Sequence, residues 1–569
     1  MNLGELQTLI GVARGEVPAD LLLSNARIIN TFTAEIEQGN VAIYRGRIAG
    51  VGDYHTAGRV VDVEGKYLAP GLINGHTHIE SSLLHIVQYA RAVVPRGTLA
   101  LVTDLHEIAN VAGLEGARYI LKGAECLPLS LFFMAPSCVP ATHLETSGAQ
   151  VDADSIRAAL EWENTLGLGE VMNFPGVIGG DMEILQKIVL SQGNVIDGHA
   201  PGLRGKDLNA YLAAGIGSDH ESTVLEEARE KLRRGMWLMI REGSSEKNLA
   251  TLLPLLGDKT YHRCFFVVDD RRCVDLLNDG DVDAVVRKAI QLGLDPIRAL
   301  QMATINPAQY FGLNGLGAIA PGYLANLLVI SDLTTLNMEM VFNKGELVAR
   351  EGEACFKSYV PRDEELRHTI NIKPFGLEAL KIAVEKWTYP IIETVPGQIV
   401  TKKRDEDVRV KEGFVISDIE RDIIKLVVVE RHKATGNIGL GLVKGFGLKR
   451  GAMASSIAHD SHNIVAVGVD DEDIFTAIKE IERLQGGLVI AADGQLLDTL
   501  PLPIAGLLSD EPLETVAKKL AKLEAVAGAL GCQLTSPFAT LSFLALPVIP
   551  EIRLTDLGIV DVSTSRLLE

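Results

Sequence analysis

His76 and His78 stand two residues apart in Gly75-His76-Thr77-His78, so on an extended chain both imidazoles leave the same face and can bite one ion. Alone, such a pair is as readily two hydrogen-bonded loop histidines. Further along, Glu170 in GLGEVMN, His199 in DGHA, His220 in SDHES and Asp269 in VVDDR each close a short apolar run. Imidazole with carboxylate suits zinc, manganese or iron, and a carboxylate between two ions can bridge a pair about 3.5–4 Å apart. Taken singly, each of these six residues is more simply a buried polar group satisfied by hydrogen bonds. Six falling at the ends of successive runs are not explained that way.

The runs themselves predict what positions these residues. LINGHTHI, TLALVTDLHE, LSLFFMAPS, LGLGEVMNF, NVIDGHA, AGIGSDHES, MWLMIREGS and CFFVVDDR are separated by stretches long enough for a helix, and nearly all end in His, Asp or Glu. A strand buried on both faces takes apolar side chains only, whereas its carboxyl end opens onto the face where barrel enzymes keep their sites. The pattern predicts an α/β fold with a (β/α)8 TIM-type barrel over residues 71–313 and one shared site. Short alternating segments before it (LLLSNARIINT, GNVAIYRGRIAGVG, KYLAPGLI) and after it (LANLLVIS, VFNKGELVAR) read as strands. They predict a small β domain from residues 1–70 plus 314–365. The remainder, 366–569, with KLVVVERH, NIVAVGVD and helical EDIFTAIKEIERLQGG, predicts an additional α+β C-terminal domain in which TKKRDEDVRVKEG is an exposed loop.

A chain of 569 residues with 47% hydrophobic and 22% charged residues is long enough for several cores and too apolar for extensive disorder. Lys+Arg number 54 against 74 Asp+Glu, a net charge of -20 that repels phosphate backbones and anionic lipid. No run of about 18 uncharged apolar residues occurs. The expectation is a cytoplasmic protein with a small-molecule substrate, no nucleic-acid and no membrane partner, and self-association into a homo-oligomer left open. Its cysteines (Cys126, Cys138, Cys264, Cys273, Cys355 and Cys532) form no CxxC pair and read as free thiols.

Several segments carry a family resemblance: NGHTHIESS, TDLHEIANV, GLGEVMNFPGV, DGHAPGL, GIGSDHE, the Asp269-Asp270-Arg271 triplet, GLGAIAPGYLANLLV, SSIAHDSHN and SPFATLSFLALPVIPEIRLTDLG. By these the chain resembles the amidohydrolase superfamily and, within it, the bacterial adenine deaminase family. The bridging position that is often a carboxylated lysine in the superfamily is Glu170 here, as in that family. Asn74 stands where an aspartate is usual, and Ala325-Asn326-Leu327 replaces the common Ala-Asp-Leu. The resemblance implies hydrolytic deamination of adenine to hypoxanthine and ammonia, in purine salvage, by water that bound metal activates. It implies two divalent metal ions, manganese or iron favoured over zinc, on His76, His78, Glu170, His199, His220 and Asp269. Asp269, Glu170 and His106 are the expected catalytic residues, with Asp269 taking and returning the proton. Glu80, Glu221, Asp270 and, from the C-terminal domain, His459, Asp460 and His462 are the expected substrate contacts. For Glu80, Glu107 and Glu221 the alternative is orienting the ligand histidines, and for the AHDSHN segment it is a self-satisfied turn. Rival functions are another amidohydrolase acting on a cyclic amide or a different aminopurine, and a catalytically silent scaffold of the same fold.

Overall fold

The computed structural model of the chain describes residues 1–361 and 363–568. Both flanks of the central region enter one nine-stranded sheet, in which Leu327–Ile330 pairs antiparallel with Tyr67–Pro70. Two hairpins of this sheet, Glu35–Tyr44 with Arg47–Gly52 and Met338–Asn343 with Glu346–Arg350, turn through the two-residue loops Arg45-Gly46 and Lys344-Gly345. All four loop residues have positive φ, as the tight turns matched to strand twist require. The loops touch: a Cβ on Gly46 would lie 2.9 Å from the Lys344 carbonyl oxygen, so a side chain there would force them apart.

Between the flanks, each of the eight runs becomes a strand. Leu72–Asn74, Thr98–Thr103, Ser130–Pro136, Thr165–Val171 and Val195–Gly198 form a parallel sheet in chain order; Ser218–Asp219, Trp237–Arg241 and Cys264–Val267 form a second. The Gly217 N–H donates to the Ile196 carbonyl across the gap between them (2.9 Å). On the other side the eighth run's end, Asp269–Asp270, pairs with Thr77–His78 of the first. The result is a curled parallel sheet with His76, His78 and Asp269 at one seam. Its concave side is filled by Ile73, Ala100, Val102, Met134, Met239, Phe265 and Val267. Its convex side packs under helices that include Ile86–Val93, His106–Ala124 and Val282–Gln291.

In the C-terminal region an eight-stranded sheet is buried on both faces. Val427 and Val429 face the Asp471–Leu484 helix, whereas Leu426 and Val428 join the core that contains the Leu513–Ala529 helix and the central sheet. This accounts for the unbroken apolar run at Ile423–Val429. The stretch expected as an exposed loop, TKKRDEDVRVKEG, is exposed but is not a loop: Thr401–Asp407 is an edge strand of this sheet, and Arg409–Lys411 is a short strand after it. At an edge, charges on both faces stay in water and protect against further pairing. Cross-strand pairs Arg404 with Glu393 (2.8 Å) and Glu406 with Lys444 (2.9 Å) support it. Among the described residues no helix is long and apolar enough to cross a membrane, and all six cysteines are free.

Asn74 is explained by its neighbour. Its buried amide Nδ2 donates to both oxygens of Asp281 (3.1 and 3.3 Å), which also accepts from Tyr89 Oη and Thr98 Oγ1. An aspartate at position 74 would set two buried carboxylates against each other. Asn74→Asp is expected to lower unfolding free energy by about 1–3 kcal/mol. The added carboxyl would have a raised pKa in the folded state, so the loss should be largest at neutral pH and fade below its unfolded value near pH 4. Denaturant unfolding at pH 7 and pH 4 measures both.

Candidate active site

The six expected ligands come together at the carboxyl ends of the parallel strands. His78 Nε2 lies 2.9 Å from Asp269 Oδ1, and His76 Nε2 lies 3.4 Å from the same oxygen. Glu170 stands between two groups of histidines. Its Oε1 is 3.5 Å from His78 Nε2, while its Oε2 is 2.8 Å from His199 Nδ1 and 3.1 Å from His220 Nε2. The His76 and His220 rings stack with centroids 4.3 Å apart. All are buried except His199, which is half-buried.

Asp269 and Asp270 diverge, though not by simple strand alternation. Asp269 has φ +57°, a left-handed conformation that costs a non-glycine residue about 1–3 kcal/mol and kinks the strand end. Asp269 thereby reaches the histidines, and Asp270 reaches Ser81 on the other side.

Two residues missing from the expected set join the cluster. Asp104 Oδ1 lies 3.3 Å from His78 Nδ1 and 3.1 Å from His106 Nδ1. The ligand atoms of His78, Asp104, His106 and Glu170 all fall within 4.8 Å of one another, so His106 belongs to the histidine–carboxylate cluster itself. Arg241 NH1 donates to Asp269 Oδ2 (2.7 Å) and to Glu221 Oε1, and its NH2 donates to Glu221 Oε2 (3.1 Å). The signal for both lies in the sequence, since Asp104 and Arg241 fall at the polar ends of the second and seventh runs. Burial works against the Asp269 carboxylate, but the Arg241 guanidinium and the two histidines hold it well below the usual carboxylate range. Glu221 is likewise lowered against the effect of burial, by Arg241 first.

The donor set fits a metal. Among the described residues, His76 Nε2 and His78 Nδ1 are buried and face carboxylate oxygens at 3.4 and 3.3 Å without forming a hydrogen bond, and a buried polar group left without one costs about 1–3 kcal/mol. Imidazole nitrogens facing carboxylate oxygens at these distances suit a divalent cation, whose charge would take the place of the protons that the carboxylates otherwise favour on His78 and His220.

A cavity opens beside the cluster. Glu80, Ser81, Glu107 and Asp270 wall it on one side, and Ile457, His459, His462 and Phe543 of the C-terminal region on the other. The AHDSHN segment therefore reaches the central site. His459 Nδ1 lies 2.7 Å from Glu107 Oε1, and His462 Nε2 hydrogen-bonds Glu107 Oε2. This second histidine–carboxylate group is a hydrogen-bonded latch and not a ligand set. The Ala458 N–H donates to His462 Nδ1 (3.3 Å), which places the ring proton on Nε2, where it points at Glu107 and blocks a metal. Burial drives His462 down to about 4; it also opposes charge on His459, where the Glu107 carboxylate outweighs it and raises the group to about 9.

The remaining expected residues divide. Glu80 lies on the cavity wall; its Oε1 accepts from the Ile108 N–H (3.2 Å), its Oε2 is buried without a partner among the described residues, and burial with Glu107 beside it pushes it to about 7. Glu221, His106 and Asp460 do not line the cavity. Both Glu221 oxygens are occupied by Arg241. Asp460, within the loop itself, is buried with Oδ2 unpartnered among the described residues.

Comparisons with known proteins identify the family. Residues 67–348 match the model of the amidohydrolase family, and residues 398–566 match that of the adenine deaminase C-terminal domain. The chain is 59% identical to an adenine deaminase of Dehalococcoides mccartyi, over 99% of both chains. It is 50% identical to adenine deaminase 2 of Carboxydothermus hydrogenoformans, over 98% of both. With an adenine deaminase of Archaeoglobus fulgidus it shares 48%, over 99% of this chain and 98% of the relative.

Arg241 gives a direct check on the cluster. Arg241→Met should leave Glu221 and Asp269 buried without their cation and cost about 3–5 kcal/mol of stability in the metal-free protein. Thermal unfolding in excess chelator measures this. A midpoint equal to that of the unsubstituted protein would mean that the pairs contribute nothing.

Proposed function

We infer the activity from the family: the chain belongs to the adenine deaminase family, within the amidohydrolases, and it hydrolyses adenine to hypoxanthine and ammonia. The superfamily fold is a TIM barrel, and we extend this to a closed (β/α)8 barrel over 71–313, flanked by the small β domain of 1–70 plus 314–365 and the C-terminal domain of 366–569. The pairing of the eighth run's end with the first supports closure. A polar substrate and free thiols support a cytoplasmic setting.

We assign the site to two divalent ions, manganese or iron. The observation that carries this is the division of Glu170, whose Oε1 faces His78 and whose Oε2 faces His199 and His220. One carboxylate with its oxygens turned toward separate histidine groups is what a bridge between two cations requires. His76, His78 and Asp269 would hold one ion and His199 and His220 the other. Bound ions of this kind lower the pKa of water from 15.7 to about 7 and so supply a nucleophile at neutral pH.

The chain's own residues do the rest. Asp269 is fixed at Oδ2 by Arg241, leaving Oδ1 on the side of the ligand histidines to take a proton from the attacking water and return it to the departing amine. Glu80, held near 7 by burial and Glu107, can carry a proton at Oε2 and exchange it with a purine ring nitrogen. Asp270 and His459 contact the base from opposite walls, and His462 and Glu107 hold the C-terminal loop against the barrel. Closure by that loop keeps bulk water from the reacting carbon. We reassign Glu221 from substrate contact to orienting Arg241 and, through it, Asp269, and we assign Asp460 to shaping the loop.

Ammonia release after manganese loading tests the activity against adenine, adenosine, guanine and cytosine. Adenine alone should turn over, and comparable release from adenosine would overturn the free-base assignment. The two aspartates test the roles. At matched metal content, Asp269→Asn should lower kcat by about 10²–10⁴, whereas Asp270→Asn should chiefly raise KM. The reverse pattern would show that the strand end presents the other carboxylate to the reaction.

A further inference from the structure

We propose that Lys231, wholly buried at the end of the Leu225–Arg233 helix, is the positioning residue that holds His199 and His220 against Glu170. The proposal rests on reading those histidines as metal ligands. The Lys231 ammonium has three acceptors: the Ala200 carbonyl oxygen (2.8 Å), Asp219 Oδ2 (2.8 Å) and Glu227 Oε1 (2.7 Å). Ala200 directly follows His199, and Asp219 directly precedes His220. One cation therefore ties the ligand-bearing end of the fifth strand to that of the sixth.

The surrounding bonds make the knot two-sided. Asp219 Oδ1 accepts from the Ala200 N–H (3.0 Å), Ser222 Oγ donates to Asp219 Oδ2 (2.8 Å), and Glu227 Oε1 also accepts from the Gly202 N–H (2.9 Å). The need for it lies in the sheet. Val195–Gly198 and Ser218–Asp219 share no backbone ladder among the described residues, only the bond from Gly217 to Ile196. A ladder would fix the register of the two strand ends; here side chains must. Tyr211 carries the same restraint to the bridging carboxylate, since its hydroxyl accepts from the His199 N–H (3.0 Å) and donates to the Val171 carbonyl oxygen (2.7 Å) next to Glu170. Lys231 itself has no role in proton transfer, because all three of its N–H bonds are committed and it touches neither the cavity nor a ligand side chain.

A helix lysine in EEAREKLRRG would ordinarily lie in solvent. Burying its charge is expensive unless acceptors are arranged around it, and a residue that orients metal ligands typically changes metal affinity 10–100-fold when removed.

Manganese binding by equilibrium dialysis on the full chain tests this, with Lys231→Met, with Lys425→Met as a second buried lysine far from the site, and with His220→Ala to test the ligand reading. Both methionine variants should show a lowered thermal midpoint. Lys231→Met should bind one of its two manganese ions about 10–100-fold more weakly and leave the other near the unsubstituted value, while Lys425→Met should bind both normally. A folded Lys231→Met with unchanged affinity for both ions would overturn the positioning role. Should Lys231→Met not fold, Asp219→Asn decides in its place: it removes, at constant volume, the one of Lys231's two carboxylate partners that adjoins His220, and unchanged affinity there overturns the proposal equally. If His220→Ala also binds both ions normally, the ligand reading fails instead, independently of Lys231.

Discussion

The structure depends on one electrostatic constraint: Glu170, a carboxylate without access to water, must be neutralised at the end of the fourth strand. Its two oxygens are served from different directions, by the His78 side of the seam and by His199 and His220. Everything that fixes those directions is thereby constrained. The pairing of the first and eighth run ends sets His76, His78 and Asp269, and Arg241 turns Asp269 so that a single oxygen faces them. A barrel geometry suits this task because neighbouring strand ends deliver groups from all sides to one point while their apolar bodies pack away from it.

The C-terminal region is bound to the same point. Its sheet is buried on both faces, and one of those faces shares a core with the central sheet. From it the loop at Ala458–Asn463 is pressed onto Glu107, and His462 is held in turn by Ala458 behind it and by Arg431, which donates to the His462 carbonyl. The cavity exists only because both regions contribute walls. The shape of the cavity and the packing of the C-terminal region are for this reason one problem, and a change at Glu107 or His462 would alter both.

Much of this was legible in the sequence because burial forces a simple alphabet on a strand. Where a strand is covered on both faces, any His, Asp or Glu at its end stands out, and the six candidate ligands stand out in this way. Asp104 and Arg241 obey the same rule less visibly: Asp104 sits inside its run, two residues before His106, and Arg241 is a cation, which is not a metal ligand. Lys231 could not be found by that rule. It lies on a mostly charged helix whose apolar residues are Leu225, Ala228 and Leu232, and only the three-dimensional packing shows that its side chain turns inward with Ala228. The edge strand at Thr401–Asp407 was concealed for a related reason: strand patterns rest on alternating burial, and an edge exposed on both faces has none. The kink at Asp269 also lay beyond pattern reading, since a left-handed residue in a strand end is set by what it must reach and not by local preference.

The central claim is that Glu170 bridges two ions, and metal stoichiometry tests it most directly. Glu170→Gln keeps the size and hydrogen-bonding reach of the side chain but removes the anion that two cations would share. Metal content per chain, measured after manganese loading and exhaustive dialysis, should fall from two ions to one or none, with the fold retained by circular dichroism and activity lost in step. Retention of two tightly held ions and near-normal adenine turnover would contradict the account.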